Sequence, residues 1–169
     1  MINFACRGLT GEQDLFDEMN MVEHDDILSD AEREALAGLS APIAPKPVVL
    51  VVDDNAVNRQ SLCMYLKSWG IDCMEADGAQ EAMFKLHYEP RIALMITDLR
   101  MVPEDGLELI KQVRTSPRAD LPIVVVSGES EVSEAVRAMH LGVVDFLEKP
   151  LHAKKLAGLL ELVKKELQI

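Results

Sequence analysis

The stretch VVLVVDDN, residues 48–55, decides the fold of this chain. Its first five residues are all apolar, as in a strand that is buried on both faces in the middle of a parallel sheet. Two aspartates, Asp53 and Asp54, follow this strand at once, although like charges so close together repel each other. The stretch therefore predicts a central strand that ends at a polar site, where something must relieve the repulsion between the carboxylates.

The rest of the chain alternates between strand and helix patterns. Further strands are predicted at 71–76, 92–97, 121–127 and 143–149, and apolar residues at helical spacing follow every strand. Five strands alternating with five helices predict a flavodoxin-like, doubly wound α/β fold with a five-stranded parallel sheet. The first, third and fourth strands are the most apolar and should be central, which the strand order 2-1-3-4-5 achieves.

The chain before the first strand has a different composition. SAPIAPKP, residues 40–47, has three prolines in eight residues and is predicted to be an extended linker. Residues 1–39 are predicted to be an acidic N-terminal extension with two short helices, one of them opened by Ser29 and Glu32 at capping-box spacing. The globular domain would then span 48–169. We hypothesise that the two helices dock on that domain or on a partner, the alternative being a loosely packed extension.

Composition and charge limit the classes of function. The 169 residues carry a net charge of -12, and residues 1–45 hold ten acidic against two basic residues. This acidity argues against sequence-independent binding to nucleic acid or anionic lipid. Neither a membrane-spanning run nor a signal-peptide pattern is present in the sequence, so a cytoplasmic protein is expected. The three cysteines lack C-x-x-C spacing and are interpreted as reduced, with Cys63 and Cys73 as small apolar packing residues.

Polar side chains also end three other predicted strands. Asp98 ends the third strand, Ser127 the fourth and Lys149 the fifth. In a sheet of order 2-1-3-4-5 the ligand crevice opens beyond the carboxyl ends of the first and third strands, so these residues should converge with the aspartate pair. Carboxylates without nearby histidine or cysteine suit Mg²⁺, and the lysine would meet a phosphoryl oxygen. The set predicts phosphoryl transfer with one aspartate as the nucleophile.

Four segments, VVLVVDDN, ITDLRMVPEDGLEL, LPIVVVSGES and VVDFLEKP, resemble in this order the receiver domain of two-component response regulators. The resemblance covers residues 48 to about 167. It implies that Asp98 accepts a phosphoryl group from a phosphohistidine on a sensor histidine kinase or a histidine phosphotransfer protein. It also implies that Asp53 and Asp54 hold Mg²⁺, together with Asp98 and the backbone carbonyl of Arg100.

The same resemblance assigns roles near the fourth and fifth strands. Ser127 and Lys149 match the hydroxyl and the lysine that contact the phosphoryl group, and Phe146 matches the aromatic switch residue that turns inward on activation. The Lys149–Pro150 bond falls where the family has a cis peptide, a bond type largely restricted to X-Pro. One departure is Pro103, which comes one position later than the proline of the family pattern and predicts a locally different loop.

The predicted function is that of a response regulator, a phospho-acceptor that assists its own phosphorylation and dephosphorylation and is not a turnover enzyme. Only 19 residues follow Pro150, too few for a DNA-binding module. Output is therefore expected through a downstream protein target or a homodimer, on the surface of the fourth helix, fifth strand and fifth helix. The alternatives are a receiver domain of a hybrid histidine kinase or phosphorelay, and a structural interaction module that is not phosphorylated.

Overall fold

The computed structural model describes residues 29, 31–32, 45–128 and 132–169. Contacts divide the chain into two units, 1–44 and 45–169, and the fold below is that of the second. Apart from Ser29, Ala31 and Glu32, the predicted extension lies outside the described residues, as does most of the predicted linker, so the docking of the two predicted helices stays a hypothesis. The predicted capping box is present: the Ser29 amide donates to Glu32 Oε2 at 2.8 Å, and the Glu32 amide donates to Ser29 Oγ at 3.3 Å.

The second unit is a five-stranded parallel sheet with five helices. The strands are β1 (Val48–Val52), β2 (Asp72–Ala76), β3 (Ile92–Thr97), β4 (Ile123–Ser127) and β5 (Asp145–Glu148). The helices are α1 (Ala56–Ser68), α2 (Ala79–Tyr88), α3 (Gly106–Arg114), α4 (Val132–His140) and α5 (Ala153–Leu167). All strand pairs are parallel and the order is β2-β1-β3-β4-β5, which confirms the predicted fold class and topology.

Three strands are shorter than the sequence pattern predicted. β2 and β4 begin one and two residues later than expected, and β5 loses residues at both ends. For β4 the reason is Pro122, which has no amide hydrogen and cannot donate to the ladder. Its carbonyl still accepts from the Met95 amide at 3.0 Å. The strand pattern thus identified all five segments but predicted β2, β4 and β5 to be longer than they are.

The sheet is buried on both faces, as the apolar run at its centre predicts. Val49 and Val51 of β1 pack in a cluster with residues of α1 and α5. Leu50 and Val52, which point the other way, pack in a second cluster with residues of α2, α3 and α4. Alternate residues of one strand therefore belong to two cores, as the two-residue period of a strand requires.

The ladder continues for one residue past several strands, and this positions the polar side chains. The Asp98 amide donates to the Val52 carbonyl at 2.9 Å, and the Lys149 amide donates to the Ser127 carbonyl at 2.8 Å. Because the strands are parallel, their carboxyl ends meet at one edge of the sheet. Backbone hydrogen bonds alone therefore place Asp98 and Lys149 at this edge, independently of their side-chain contacts.

Two X-Pro bonds in this unit are cis. Lys149–Pro150 is cis, as the resemblance implied, and Val102–Pro103 is a second cis bond that was not predicted. The second bond lies in the loop between β3 and α3, where the displaced proline predicted a locally different conformation. Across the parts of the chain that the structure describes, no helix is long and apolar enough to cross a membrane.

Candidate functional site

One ammonium group joins two buried carboxylates at the carboxyl edge of the sheet. Lys149 Nζ lies 2.6 Å from Asp53 Oδ2 and 2.6 Å from Asp98 Oδ2. Asp53 is 5% exposed and Asp98 is 9% exposed, so neither charge is well solvated. Burial alone would lower the pKa of Lys149, but its hydrogen bonds to the two aspartates outweigh burial and raise it. The lysine therefore stays charged and relieves the repulsion between the carboxylates.

Backbone amides fix the orientation of both carboxylates. Asp53 Oδ1 accepts from the Asn55 amide at 2.8 Å, and Asp98 Oδ1 accepts from the Arg100 amide at 3.1 Å. In each case an aspartate bonds the amide two residues ahead, the geometry of an Asx turn. One oxygen of each carboxylate is thus held by its own turn, and the other is directed at Lys149.

Asp54 lies at the rim of the site. Its side chain is exposed, and Asp54 Oδ2 accepts from the Val102 amide at 3.3 Å. The structure thus brings Asp53 and Asp98 together through Lys149, while Asp54 contacts the loop between β3 and α3. Over the described ranges, no three His, Cys, Asp or Glu side chains form a ready-made metal cluster. The predicted joint role of the three carboxylates remains a prediction.

Ser127 presents an unpartnered hydroxyl at the end of β4. The residue is fully buried, and Ser127 Oγ is the one buried side-chain polar atom without a hydrogen-bond partner among the described residues. A buried hydroxyl without a partner costs free energy, and its O–H can rotate toward an acceptor that enters the site. The position therefore fits a hydroxyl that binds a ligand oxygen.

The donor set fits Mg²⁺ and a phosphoryl group. Asp53, Asp54 and Asp98 offer only oxygen atoms, and Mg²⁺ takes oxygen ligands and commonly keeps several waters beside one or two carboxylates. A complete protein cage is therefore not required. Asp53, Asp98 and Lys149 also line a cavity of about 530 Å³, so the charged groups face open space on one side.

Gly106, the first residue of α3, contacts the backbone of Asp98 closely. A Cβ atom at Gly106 would overlap the Asp98 carbonyl oxygen and lie 2.8 Å from Leu99 Cα. The Gly106 amide donates to the Leu99 carbonyl at 2.7 Å, which holds the start of the helix against the end of β3. Only glycine, which has no Cβ atom, lets the start of α3 come this close to the end of β3. The sequence signal was the Asp105-Gly106 pair, but its contact with Asp98 was not predicted.

Arg59 on α1 is another residue that the sequence analysis missed. Arg59 Nη1 donates to the Asp53 carbonyl at 2.6 Å, and Arg59 Nε lies 3.2 Å from Glu75 Oε2 on β2. Arginine has several donors in a fixed planar group, so one side chain can bind both acceptors. It thereby connects α1 with the end of β1 and with β2.

The remaining predicted residues lie around this centre. Phe146 is half-buried on β5 and packs against the core cluster of α2, α3 and α4. Arg100 is exposed, and its Nη2 lies 3.5 Å from Glu134 Oε2 on α4. The metal role predicted for the Arg100 carbonyl remains a prediction.

Comparison with known proteins gives a consistent result. The sequence profile described as "Response regulator receiver domain" matches residues 49–161. The chain is 36% identical over 115 residues to the transcriptional regulatory protein FixJ of Bradyrhizobium diazoefficiens, covering 67% of this chain and 54% of FixJ. It is 33% identical over 129 residues to the C4-dicarboxylate transport transcriptional regulatory protein DctD of Pseudomonas aeruginosa, covering 76% of this chain and 27% of DctD.

A solved structure is more similar still. The crystal structure of a response regulator receiver protein from Pseudomonas putida is 63% identical in sequence, with a TM-score of 0.69. The match covers 73% of this chain and 99% of that one. The chain spans about half the length of FixJ and about a quarter of DctD. The likeness to these two relatives therefore concerns one part of each.

Proposed function

The chain belongs to the response regulator receiver domain family, whose general function is phosphoryl transfer, and we propose that Asp98 is its phosphoryl acceptor. The observation that carries the proposal is the pair of 2.6 Å contacts from Lys149 Nζ to Asp53 and Asp98. The unpartnered Ser127 hydroxyl at the same edge of the sheet supports it. Buried side-chain hydroxyls usually have a partner, and a ligand oxygen would supply one here.

Asp98 attacks the phosphorus of a phosphohistidine in line with the bond to the leaving nitrogen. A carboxylate oxygen of Asp98 forms the new P–O bond, and the P–N bond breaks with its electron pair on the imidazole. The Arg100 amide at Oδ1 holds the plane of the carboxylate during approach, at 3.1 Å. Position and charge neutralisation are the main requirements of this reaction.

Lys149 and Ser127 bind the transferred group. Once Asp98 is phosphorylated, the negative charge lies on the phosphoryl oxygens, and the Lys149 ammonium binds one of them. The Ser127 hydroxyl donates to a second phosphoryl oxygen and thereby gains the partner that it lacks. Asp53, Asp54, Asp98 and the Arg100 carbonyl would hold Mg²⁺, which supplies further neutralisation of the phosphoryl charge.

Phe146 is the proposed switch residue. It is half-buried on β5, next to the strand that carries Ser127. Movement of Ser127 toward the phosphoryl group gives the Phe146 ring room to turn inward. The surface of α4, β5 and α5 then changes, and it includes the exposed apolar residues Val132, Val136 and Met139. We propose that this surface binds a downstream protein target, in a cytoplasmic pathway that begins at a histidine kinase or a phosphotransfer protein.

Amide NMR spectra recorded with Mg²⁺ and beryllofluoride test the proposal. The reagent should shift two amide signals: that of Arg100, whose amide donates to Asp98 Oδ1, and that of Gly128, which follows Ser127. Trp69 is a poorer reporter, because it follows the far end of α1, roughly 20 Å along the helix from the site. Asp98→Asn should abolish the shifts. Asp120→Asn, a matched change in an exposed residue between α3 and β4, should preserve them.

Two outcomes would contradict the proposal. Shifts of the same size in the Asp98→Asn protein would place the modification on another residue. A folded wild-type protein that fails to respond at high Mg²⁺ would instead identify a structural interaction module that is not phosphorylated.

A further inference from the structure

Side-chain pairs connect α1 to the edge strand β2. The pair nearest the site is Arg59 with Glu75, whose Nε and Oε2 atoms are 3.2 Å apart. α1 runs back along the sheet, so later residues of the helix face earlier residues of β2. Four helix residues advance about 6 Å and two strand residues about 6.6 Å, nearly the same distance. The pair that follows in this register is Cys63 with Cys73.

Both cysteines belong to the core cluster between the sheet and α1. Cys63 is 1% exposed, and Cys73 is partly buried and packs against the same cluster. Both are free thiols. The Cys73 thiol donates to the Ile71 carbonyl at 3.7 Å.

The two thiols differ in acidity because they interact with each other. The interaction with Cys73 lowers the pKa of Cys63, and with the positive charges of Lys67 and Arg59 it outweighs burial and the Glu75 carboxylate, which raise it. The same interaction, together with burial, raises the pKa of Cys73. Because the thiolate is the reactive form, Cys63 is the better nucleophile of the two. Cys73 is the second thiol, with which it can form a disulfide.

We propose that Cys63 and Cys73 are a redox modification site, at which hydrogen peroxide forms a reversible disulfide between α1 and β2. The register of α1 on β2 and the shared packing of the two side chains carry this inference. Among the strands that the structure describes, β2 is at the edge of the sheet and pairs with β1 alone, so it can adjust to the geometry of a disulfide more easily than a central strand. The site is independent of the proposed phosphorylation of Asp98.

The reaction balances with one molecule of peroxide. The Cys63 thiolate attacks one peroxide oxygen, the O–O bond breaks, and hydroxide leaves to give a sulfenic acid and, once protonated, water. The Cys73 sulfur then attacks the Cys63 sulfur. The S–O bond breaks, and the departing hydroxide takes the Cys73 proton to form the second water. Two thiols are oxidised to a disulfide and the peroxide is reduced to water.

Intact mass measurement of the full chain tests the inference. Cys6→Ser removes the third cysteine, so that only Cys63 and Cys73 remain to react. Treatment with hydrogen peroxide should lower the mass by two hydrogen atoms, and dithiothreitol should restore it. Trypsin cleavage after Arg59, Lys67 and Lys85 should yield one linked pair of peptides, 60–67 with 68–85.

Cys73→Ala in the same background is the matched control. Cys73 is only partly buried, so this variant should fold, which circular dichroism checks. It should not lose two hydrogen atoms, and Cys63→Ala should behave in the same way. The inference is overturned when the Cys6→Ser protein keeps both thiols, takes up oxygen without a linked peptide pair, or links two chains instead. Persistence of the mass loss in either alanine variant would overturn it as well.

Discussion

Gly106 starts α3 directly against the Asp98 carbonyl, and a Cβ atom at this position would overlap that oxygen and lie 2.9 Å from the Asp98 carbonyl carbon. The proposed phospho-acceptor is thus held by backbone packing on one side and by side chains on the other. Asp105 caps α3 by accepting from the Glu108 amide at 2.8 Å, so the helix cannot easily slide away from β3.

Gly106→Ala should destabilise the domain and disturb the site together. The added methyl group must push α3 away from Asp98, and overpacking of this kind costs about 1–3 kcal/mol. Urea denaturation measures the loss in the free energy of unfolding. The matched control is Gly158→Ala in α5, where a Cβ atom would meet nothing within 4 Å. That change should be neutral or stabilise by up to about 1 kcal/mol, because alanine favours helix more than glycine.

Ser127→Ala should separate stability from function. The Ser127 hydroxyl is buried without a partner, so its removal should leave the free energy of unfolding unchanged or raise it by up to about 1 kcal/mol. The same variant should respond more weakly to beryllofluoride, since the hydroxyl is a proposed donor to the bound group. A clear loss of stability would show that the hydroxyl has a partner in the folded protein.

Ser116→Ala is the control for this comparison. Ser116 Oγ donates to the Val113 carbonyl at 2.7 Å and accepts from the Arg118 amide at 3.0 Å. Its loss should cost about 1 kcal/mol of folding stability without changing the beryllofluoride response. Ser127→Ala should therefore weaken the beryllofluoride response without loss of stability, and Ser116→Ala should lower stability without changing the response.

Asp54→Asn should weaken Mg²⁺ binding with little effect on folding. Its side chain is exposed, and its amide analogue can still accept from the Val102 amide, so the free energy of unfolding should hardly change. Loss of a negative charge beside the ion should reduce the affinity at least about tenfold. Calorimetric titration with Mg²⁺ measures it. Asp72→Asn removes the same charge at the start of β2. This position is at the amino-terminal end of the strands, away from the site, so the affinity should be unchanged.

The fold could be predicted from the sequence because its main signals are local. Val48–Val52 is apolar throughout, as a strand buried on both faces must be, and Asp53 and Asp98 follow their strands directly. Parallel pairing then brings the strand ends to one edge whatever the loops do. The convergence of the strand ends that carry Asp53, Asp98 and Lys149 follows from topology alone.

The features of the site that the sequence did not predict depend on contacts between distant segments. Lys149 contacts Asp53 and Asp98 at equal distances, and Asp54 contacts Val102 in a loop 48 positions later. No local pattern encodes which acceptor a long side chain selects or how closely α3 approaches Asp98. The cis bond before Pro103 was likewise beyond prediction, because most X-Pro bonds are trans.

Arg59→Gln should lower stability through the end of β1. Arg59 Nη1 binds the Asp53 carbonyl at 2.6 Å and its side chain is mostly buried, so the substitution should leave that carbonyl and Glu75 without a charged partner. Hydrogen bonds to a charged group contribute about 1.5–3 kcal/mol, and a loss near the lower limit is expected because Glu75 is partly solvated. Urea denaturation measures the loss, and amide NMR of Asn55 reports the disturbance beside Asp53. Arg91→Gln breaks an exposed ion pair with Glu89 and should cost much less stability. Equal losses in the two variants would show that the contact with Asp53 adds nothing to an ordinary surface ion pair.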